Sequence, residues 1–157
     1  MSRPRQVAVI GPREASNTES EAGHEVGRLL GEAGAVVVCG GLGGVMEAAA
    51  HGAHVSGADV IGILPGADPG DANPYVTHVV ATTTGIARNL AVVASSDAVI
   101  AIGGSWGTLS EIAHARQLGR RVVALDSWTI EPIRAPAEGL GVELASDPTD
   151  AVRRALA

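Results

Sequence analysis

The residues best suited to chemistry lie between Ala101 and Glu111, where an apolar run leads into glycines and then into a helical pattern. A strand carries the backbone to the edge of a sheet, glycines let it turn with little side-chain bulk, and a helix start offers unpaired N–H groups at the positive end of its dipole. This order predicts a phosphate-binding turn. Its candidate ligand-binding residues are Gly103, Gly104, Ser105, Trp106, Gly107 and Thr108.

A purely structural interpretation of this turn is also open, because Thr108-x-x-Glu111 fits a capping box at the start of a helix. Trp106 favours a ligand, since an indole in a glycine turn at a sheet edge is well placed to cover a ring. Glu111 lies one turn into the helix and is expected to point back toward the turn. There it would accept a hydrogen bond from a sugar hydroxyl or act as a general base, whereas a mere capping residue would face solvent.

A second set of candidates surrounds another glycine cluster, which follows the apolar run Val36–Cys39 and precedes a helical pattern. The spacing of this cluster is not that of the dinucleotide fingerprint, and its position is what favours a binding role. Arg88 interrupts an apolar stretch, where a guanidinium would suit a phosphate or carboxylate, although a surface arginine is the ordinary alternative. The candidate binding residues of this second set are Gly11, Gly40, Gly41, Gly43, Gly44 and Asn89, beside Arg88.

The elements that must position these residues alternate between strand and helix. The predicted strands are Gln6–Ile10, Val36–Cys39, Val60–Leu64, 76–82, 97–102 and Arg121–Leu125. The predicted helices are a helix capped near Ser16, 45–54, 86–94, 108–118 and a last helix capped by Asp147. Alternation of this kind predicts one doubly wound α/β Rossmann-like domain over residues 1–157, with a mostly parallel sheet and helices on both faces. Both glycine clusters then fall at the carboxyl edge of the sheet, where ligands bind.

Composition narrows the function further. The 157 residues are 46% hydrophobic, carry a net charge of −6 and contain no basic block, which argues against a nucleic-acid partner. All 11 basic residues are arginine, so a Gly-Lys-Ser/Thr P-loop and a pyridoxal-phosphate Schiff base are excluded. Cys39 is a lone cysteine and is expected to be inert core, and the scattered histidines suggest no metal site. We expect a cytoplasmic protein with no membrane partner.

The motifs, taken together, resemble those of the Rossmann-like family that includes the Lonely-guy cytokinin-activating phosphoribohydrolases and the molybdenum-cofactor carrier proteins. The hydrolase pattern P-G-G-x-G-T-x-x-E is matched from Gly103 to Glu111, with Gly103 in the proline place and Ser105 in the second glycine place. The family's Arg-Lys pair falls on Arg88 and Asn89. The glycine run with Gly-Leu-Met is matched, one residue shorter, by the cluster that ends at Met46.

The resemblance implies catalytic roles for Arg88 and Glu111 and a homodimer. Because Asn89 stands in the lysine place, the chain is closer to the carrier-like branch. We therefore expect a binding protein for a phosphorylated, nucleotide-like ligand, such as a molybdopterin-type cofactor or a nucleoside monophosphate, with no cofactor required for chemistry. The alternative is a nucleoside 5′-monophosphate phosphoribohydrolase that cleaves the N-glycosidic bond. A pyridoxal-dependent lysine decarboxylase, a label given to some of the family, is excluded because no lysine exists.

Overall fold

A computed structural model describes residues 3–131, 134, 136 and 139–157. Its strands are short and apolar, as expected of strands covered on both faces. In chain order they are β1 (Gln6–Ile10), β2 (Val36–Cys39), β3 (Val60–Leu64), β4 (His78–Ala81), β5 (Ala98–Ile102), β6 (Arg121–Leu125) and β7 (Val142–Leu144). They form one seven-stranded sheet in the order β4-β3-β2-β1-β5-β6-β7. Every strand pair in the sheet is parallel.

The helices cover both faces of this sheet. They are α1 (Asn17–Glu32), α2 (Val45–Val55), α3 (Arg88–Ala94), α4 (Trp106–Gln117) and α5 (Pro148–Leu156), with short 3-10 helices at Pro69–Asp71 and Gly85–Ala87. Helices α1, α2 and α5 bury their apolar stripes in one core cluster, and α3 and α4 bury theirs in a second cluster on the other face. The predicted doubly wound α/β Rossmann-like fold is therefore confirmed.

The all-parallel pairing agrees with the prediction of a mostly parallel sheet. The structure corrects two other element predictions. Strand β4 occupies only His78–Ala81 of the predicted 76–82. Just before it, the Thr77 hydroxyl accepts the Val60 N–H at 2.8 Å. Strand β7 was not predicted, because three residues after a Gly-rich stretch carry too little periodicity to stand out.

Small residues let helices α1 and α2 pack closely within the chain. A Cβ at Gly27 of α1 would overlap the backbone of Ala49, and a Cβ at Gly52 of α2 would overlap the His24 carbonyl. The two helices thus pack backbone against backbone within one chain. The face of α2 that contains Ala49 and Gly52 therefore packs against α1.

Both predicted glycine turns lie at the carboxyl edge of the sheet. Strand order reverses at β1, which lies between β2 and β5, so the crevice favoured by ligands opens there. The first glycine turn (residues 40–44) follows β2 and the second glycine turn (residues 103–108) follows β5. They are separated by two strand spacings, about 10 Å.

Candidate functional site

Gly11 lies between the two glycine turns for a steric reason. It directly follows β1, where a Cβ would lie 2.6 Å from the Ile102 carbonyl oxygen and 2.7 Å from the Val45 Cβ. Only a residue without a side chain lets the end of β1 approach both the end of β5 and the start of α2. Gly11 thus brings the two turns to one crevice.

The second glycine turn is closed by its own side chains. Helix α4 begins at Trp106, two residues before the predicted start, and Ser105 is its N-cap. The Thr108 N–H donates to Ser105 Oγ at 3.2 Å, and the Ser105 and Thr108 hydroxyls lie 3.0 Å apart. The predicted Thr108–Glu111 capping box is therefore wrong. Three of the groups predicted to hold a phosphate (the Thr108 N–H and both hydroxyls) already satisfy one another.

Gly103 and Gly104 shape the approach to this turn. Gly103 has φ +65°, and a Cβ there would overlap the Glu19 carboxylate, which caps α1 through Ser16. Gly104 faces Trp128, whose Nε1 would lie 3.2 Å from a Cβ at that position. A carboxylate and an indole therefore flank the turn where we had predicted a phosphate.

Two tryptophans meet at the second turn. Trp106 is 79% exposed, as expected of an indole that is not core, and its ring centroid lies 5.3 Å from that of Trp128. Trp128 Nε1 donates to the Ser105 carbonyl at 3.0 Å, so the second indole holds the turn in place. Sequence reasoning missed Trp128. Its position three residues after β6, at the same sheet edge, was the available signal.

The first glycine turn differs in how its helix begins. Gly44 is the N-cap of α2 with φ +68° and ψ −133°, and no side chain caps the helix. A Cβ at Gly44 would overlap the carbonyl oxygens of Pro12 and Arg13, so the chain passes too close for any other residue. On the other side, Asn73 fastens the turn, donating from Nδ2 to the Leu42 carbonyl at 2.9 Å.

Arg88 is buried beneath the first glycine turn. Its side chain is only 8% exposed, so the interpretation as a surface arginine is wrong. Nη1 donates to the Ile63 carbonyl at 2.9 Å and to the Gly40 carbonyl, which joins the ends of β3 and β2. A Cβ at Gly40 would overlap Nη1, so this glycine makes the space for the guanidinium. Burial lowers the pKa of Arg88 from its ordinary value, with the Glu111 charge opposing the shift.

Glu111 is buried as well, and it is not a solvent-facing cap. It is 8% exposed on α4, and among the described residues it has no ion-pair partner. Burial raises the pKa of Glu111 to about 8, and the nearby charge of Arg88 works against that rise. A carboxyl group with this pKa is mostly protonated at pH 7.

Cys39 lies close to both of these groups. It ends β2, is fully buried, and burial raises the pKa of its thiol to about 11, with Arg88 lowering that pKa and Glu111 raising it. A protonated thiol of this kind is a poor nucleophile. Met46 is buried in the core beside the turn, as predicted.

Asn89 belongs to a neighbouring cleft. Its Nδ2 lies 3.6 Å from where a Cβ of Gly107 would stand. The cleft has a volume of about 660 Å³ and is lined by α3 and α4 side chains with Trp106 at its border. Asn89 is therefore separated from Arg88, which points inward, although the two are adjacent in sequence.

The structure thus brings Arg88, Glu111 and the first glycine turn together and sets Trp106, Asn89 and Gly107 at a cleft beside them. Gly43 is open, with the nearest atoms 3.8 Å or more from a Cβ. In the described part of the chain no three His, Cys, Asp or Glu side chains are grouped to hold a metal ion. None of its helices is long and apolar enough to cross a membrane.

The chain matches one protein-family model and one relative in sequence. The model of the SLOG cluster4 family matches residues 4–152. An uncharacterized protein of Archaeoglobus fulgidus is 45% identical over 120 residues, which are 76% of this chain and 79% of that relative. The motifs quoted above had suggested a resemblance of this kind.

Two solved structures extend the likeness over nearly the whole chain. The molybdenum cofactor binding protein from the phototrophic bacterium Rippkaea orientalis superposes with a TM-score of 0.90 at 33% identity, covering 98% of this chain and 96% of that one. The molybdenum cofactor carrier protein of Chlamydomonas reinhardtii gives 0.82 at 27% identity, covering 96% and 95%. These matches confirm the predicted resemblance to the family of molybdenum-cofactor carriers.

Proposed function

This chain belongs to the SLOG cluster4 family, and we propose that it binds a phosphorylated, planar heterocyclic ligand of the molybdopterin type as a carrier. The observation that carries the proposal is the likeness to the Rippkaea orientalis molybdenum cofactor binding protein over 98% of this chain. In that role the ligand lies across the carboxyl edge between the two glycine turns. Arg88 supplies positive charge to its anionic part, and Trp106 covers its ring.

The chemistry of the edge fits such a ligand. An exposed indole offers a flat apolar face to a fused ring system. A buried guanidinium that has no carboxylate partner among the described residues suits an anionic group such as a phosphate monoester. A cleft of about 660 Å³ beside Trp106 is within the size range of small-molecule sites.

The carrier proposal is tested by retention of the cofactor. Molybdenum cofactor released from a molybdoenzyme is mixed with the purified chain and passed through a desalting column. We expect about one molybdenum and one pterin per chain to co-elute, measured by mass spectrometry of the metal and by pterin fluorescence. Trp106→Ala is expected to reduce retention, whereas Leu144→Ala, which removes another exposed apolar side chain on β7, retains it. Elution of the cofactor apart from the wild-type protein contradicts the proposal.

Phosphoribohydrolase activity is a second candidate, favoured by one observation. Glu111, with its pKa raised to about 8, can hold a proton at neutral pH beside Arg88. In this reaction water adds its hydroxyl to C1′ as the N-glycosidic bond breaks. The departing base would take a proton from Glu111, and the proton that the water loses would return to the Glu111 carboxylate. The activity predicts free base and ribose 5-phosphate from at least one member of a nucleoside monophosphate panel, with loss in Glu111→Gln. A panel that yields no base removes this candidate and leaves the carrier.

We also propose that the chain forms a homodimer through the face of α3 and α4 near Trp106. Ile86, in the 3-10 helix just before α3, is 90% exposed, and Leu90 of α3 is 43% exposed, so two large apolar side chains face solvent near Trp106. Light scattering after size-exclusion chromatography should give twice the chain mass, and Ile86→Glu should halve it. A wild-type monomer at micromolar concentration would contradict the dimer.

A further inference from the structure

We propose that the cleft between α3 and α4 is a ring-binding subsite, in which Trp106 covers a planar nitrogen heterocycle and the Asn89 carboxamide recognises a hydrogen-bond donor and a neighbouring acceptor on the edge of that ring. The assignment places the uncharged end of the proposed ligand and leaves its phosphate at the second glycine turn. The identity of the natural ligand rests on the proposed function. The subsite itself is tested with synthetic phosphate monoesters.

The residues of this subsite border one cavity of about 660 Å³. Trp106 and Gly107 border it from the start of α4, and Asn89 borders it from α3. The other described lining residues are Ile86, Ala87, Leu90, Ser110 and His114. None of these lining residues is Arg, Asp or Glu, so the cleft suits the uncharged part of a ligand rather than its phosphate.

Asn89 brings an unmatched hydrogen-bonding group to this cleft. It is half-buried, and within the described residues its side chain makes no hydrogen bond. A carboxamide offers N–H donors beside an oxygen acceptor. When a ring displaces water from an apolar cleft, these groups lose their partners unless the ring edge supplies both an acceptor and a donor. Asn89 therefore favours a ring with adjacent N–H and C=O groups, as on the lactam edge of a pterin.

Trp106 supplies the flat apolar face of the subsite. Its residue is 79% exposed, and its ring centroid lies 5.3 Å from that of Trp128. Trp128 is itself fixed, because its Nε1 donates to the Ser105 carbonyl at 3.0 Å. The anchored indole limits the positions open to Trp106, which is thereby held at the border of the cleft with a face available for stacking.

Gly107 joins the cleft to the second glycine turn. It borders the cleft, and Asn89 Nδ2 lies 3.6 Å from where a Cβ at Gly107 would stand. The Trp106 and Gly107 N–H groups precede the first intrahelical hydrogen bond of α4 and have no acceptor within the described residues. A phosphate held by these N–H groups lies beside Asn89, so one ligand can reach both the turn and the cleft.

The first test locates the ring by NMR. Neopterin monophosphate, which joins a pterin to a phosphate through a short chain, is titrated into the ¹⁵N-labelled protein, with glycerol 3-phosphate as the probe that lacks the ring. Trp106 and Trp128 are the two tryptophans of the chain, so two indole N–H signals report on the site. We expect both probes to shift Gly107 and only the ring probe to shift the Trp106 indole and the Asn89 carboxamide. Ring-dependent shifts confined to other residues, or none at millimolar probe, overturn the subsite.

The second test separates the two side chains by calorimetry. It adds 1-naphthyl phosphate, whose flat double ring has no hydrogen-bonding edge. Trp106→Ala should weaken both ring probes at least about fivefold, because stacking is lost. Asn89→Ala should weaken neopterin monophosphate about three- to tenfold and 1-naphthyl phosphate less than about twofold, and Asn89→Gln should recover part of the loss.

Gln117→Ala is the matched control for Asn89→Ala. It removes a carboxamide from an exposed position at the end of α4, outside the cleft, and should change the affinity of either ring probe less than about twofold. Equal losses of the two ring probes in Asn89→Ala overturn the edge recognition, as does a loss in Gln117→Ala as large as that in Asn89→Ala. The NMR titration of the wild-type chain decides if Asn89→Ala does not fold.

The proposed dimer face adjoins the cleft. Ile86 and Leu90 line the cleft and also carry that face. A second chain there would cover the outer rim and change the affinity for every probe. Wild type and variants are therefore compared at one protein concentration, after light scattering has shown that they share an oligomeric state.

The outcomes separate the subsite from the carrier function. Asn89-dependent binding of neopterin monophosphate without retention of molybdenum cofactor keeps the subsite and removes the carrier. Retention of the cofactor by a chain whose Trp106 and Asn89 signals do not respond to the ring probe keeps the carrier and removes the subsite.

Discussion

The two glycine turns stand about 10 Å apart at one edge, and each leads from a parallel strand into a helix. They begin their helices in opposite ways. Ser105 caps α4 and uses the N–H group of Thr108, whereas Gly44 leaves the first turn of α2 uncapped. A Cβ at Gly103 would overlap the Glu19 carboxylate, whereas a Cβ at Gly40 would overlap the buried guanidinium of Arg88. The comparison teaches that a glycine motif shows where a backbone can approach a ligand, and that caps and neighbouring charges decide whether its donors are free.

The largest contrast is expected from alanine at two positive-φ glycines, Gly44 in the first turn and Gly103 in the second. Gly44→Ala should cost roughly 2–6 kcal/mol, from backbone strain of about 1–3 and overpacking of about 1–3, because the atoms in the way are backbone carbonyls. Gly103→Ala should cost about 1–2 kcal/mol, because the obstructing atom is the mobile end of Glu19. Urea unfolding of both variants measures the difference. Equal losses would mean that the two turns are equally constrained.

The next effect is expected in the pH dependence of folding stability, to which Glu111 contributes. Its pKa is about 8 in the folded chain and near the ordinary 4.5 when unfolded, so the folded chain binds the extra proton between these values. Stability from this group is fully present below pH 4.5 and is lost as the pH rises through 8, at up to about 1.4 kcal/mol per pH unit. Glu111→Gln removes the titration and should gain stability relative to wild type from pH 5 to pH 9. A difference that stays constant with pH in thermal unfolding scans would show that Glu111 is not buried as described.

The cap of the second turn gives a smaller effect. Ser105→Ala removes the acceptor of the Thr108 N–H and should cost about 0.5–2 kcal/mol. Ser110→Ala, in the same helix, should stay within about 0.5 kcal/mol, since Ser110 only bonds back to the preceding turn. Chemical denaturation compares the two. A cost at Ser110 as large as that at Ser105 would contradict the assignment of the cap.

The smallest effects are expected from the two indoles. Trp128→Phe loses the hydrogen bond to the Ser105 carbonyl and should cost about 1 kcal/mol. Trp106→Phe should change stability by less than about 0.5 kcal/mol, because Trp106 is largely exposed. Thermal unfolding measures both, and a large loss at Trp106 alone would show that this indole is structural and not held for a ligand.

Much of the fold was predictable because its strands are continuous apolar runs bounded by glycine or proline. The bounds of β1, β2, β3 and β6 match the prediction, and Asp147 caps the last helix as expected. The start of α4 was not predictable in the same way, because Ser105 and Thr108 are both good caps and only the path of the backbone chooses between them. Strand β7 depends on pairing with β6 rather than on its own three residues.

The sequence by itself determined that the chain is a doubly wound sheet with two glycine turns at one edge, because hydrophobic runs and glycines act through local geometry. It also excluded lysine-dependent chemistry. Only the tertiary structure decided that Arg88 and Glu111 are buried, and that Trp128 supports the second turn. Burial and charge compensation depend on segments far apart in the sequence, such as Gly40 and Arg88, which are 48 residues apart, and no local pattern records such contacts. The helix that starts without a side-chain cap therefore follows the first glycine turn, where the motif looked weaker.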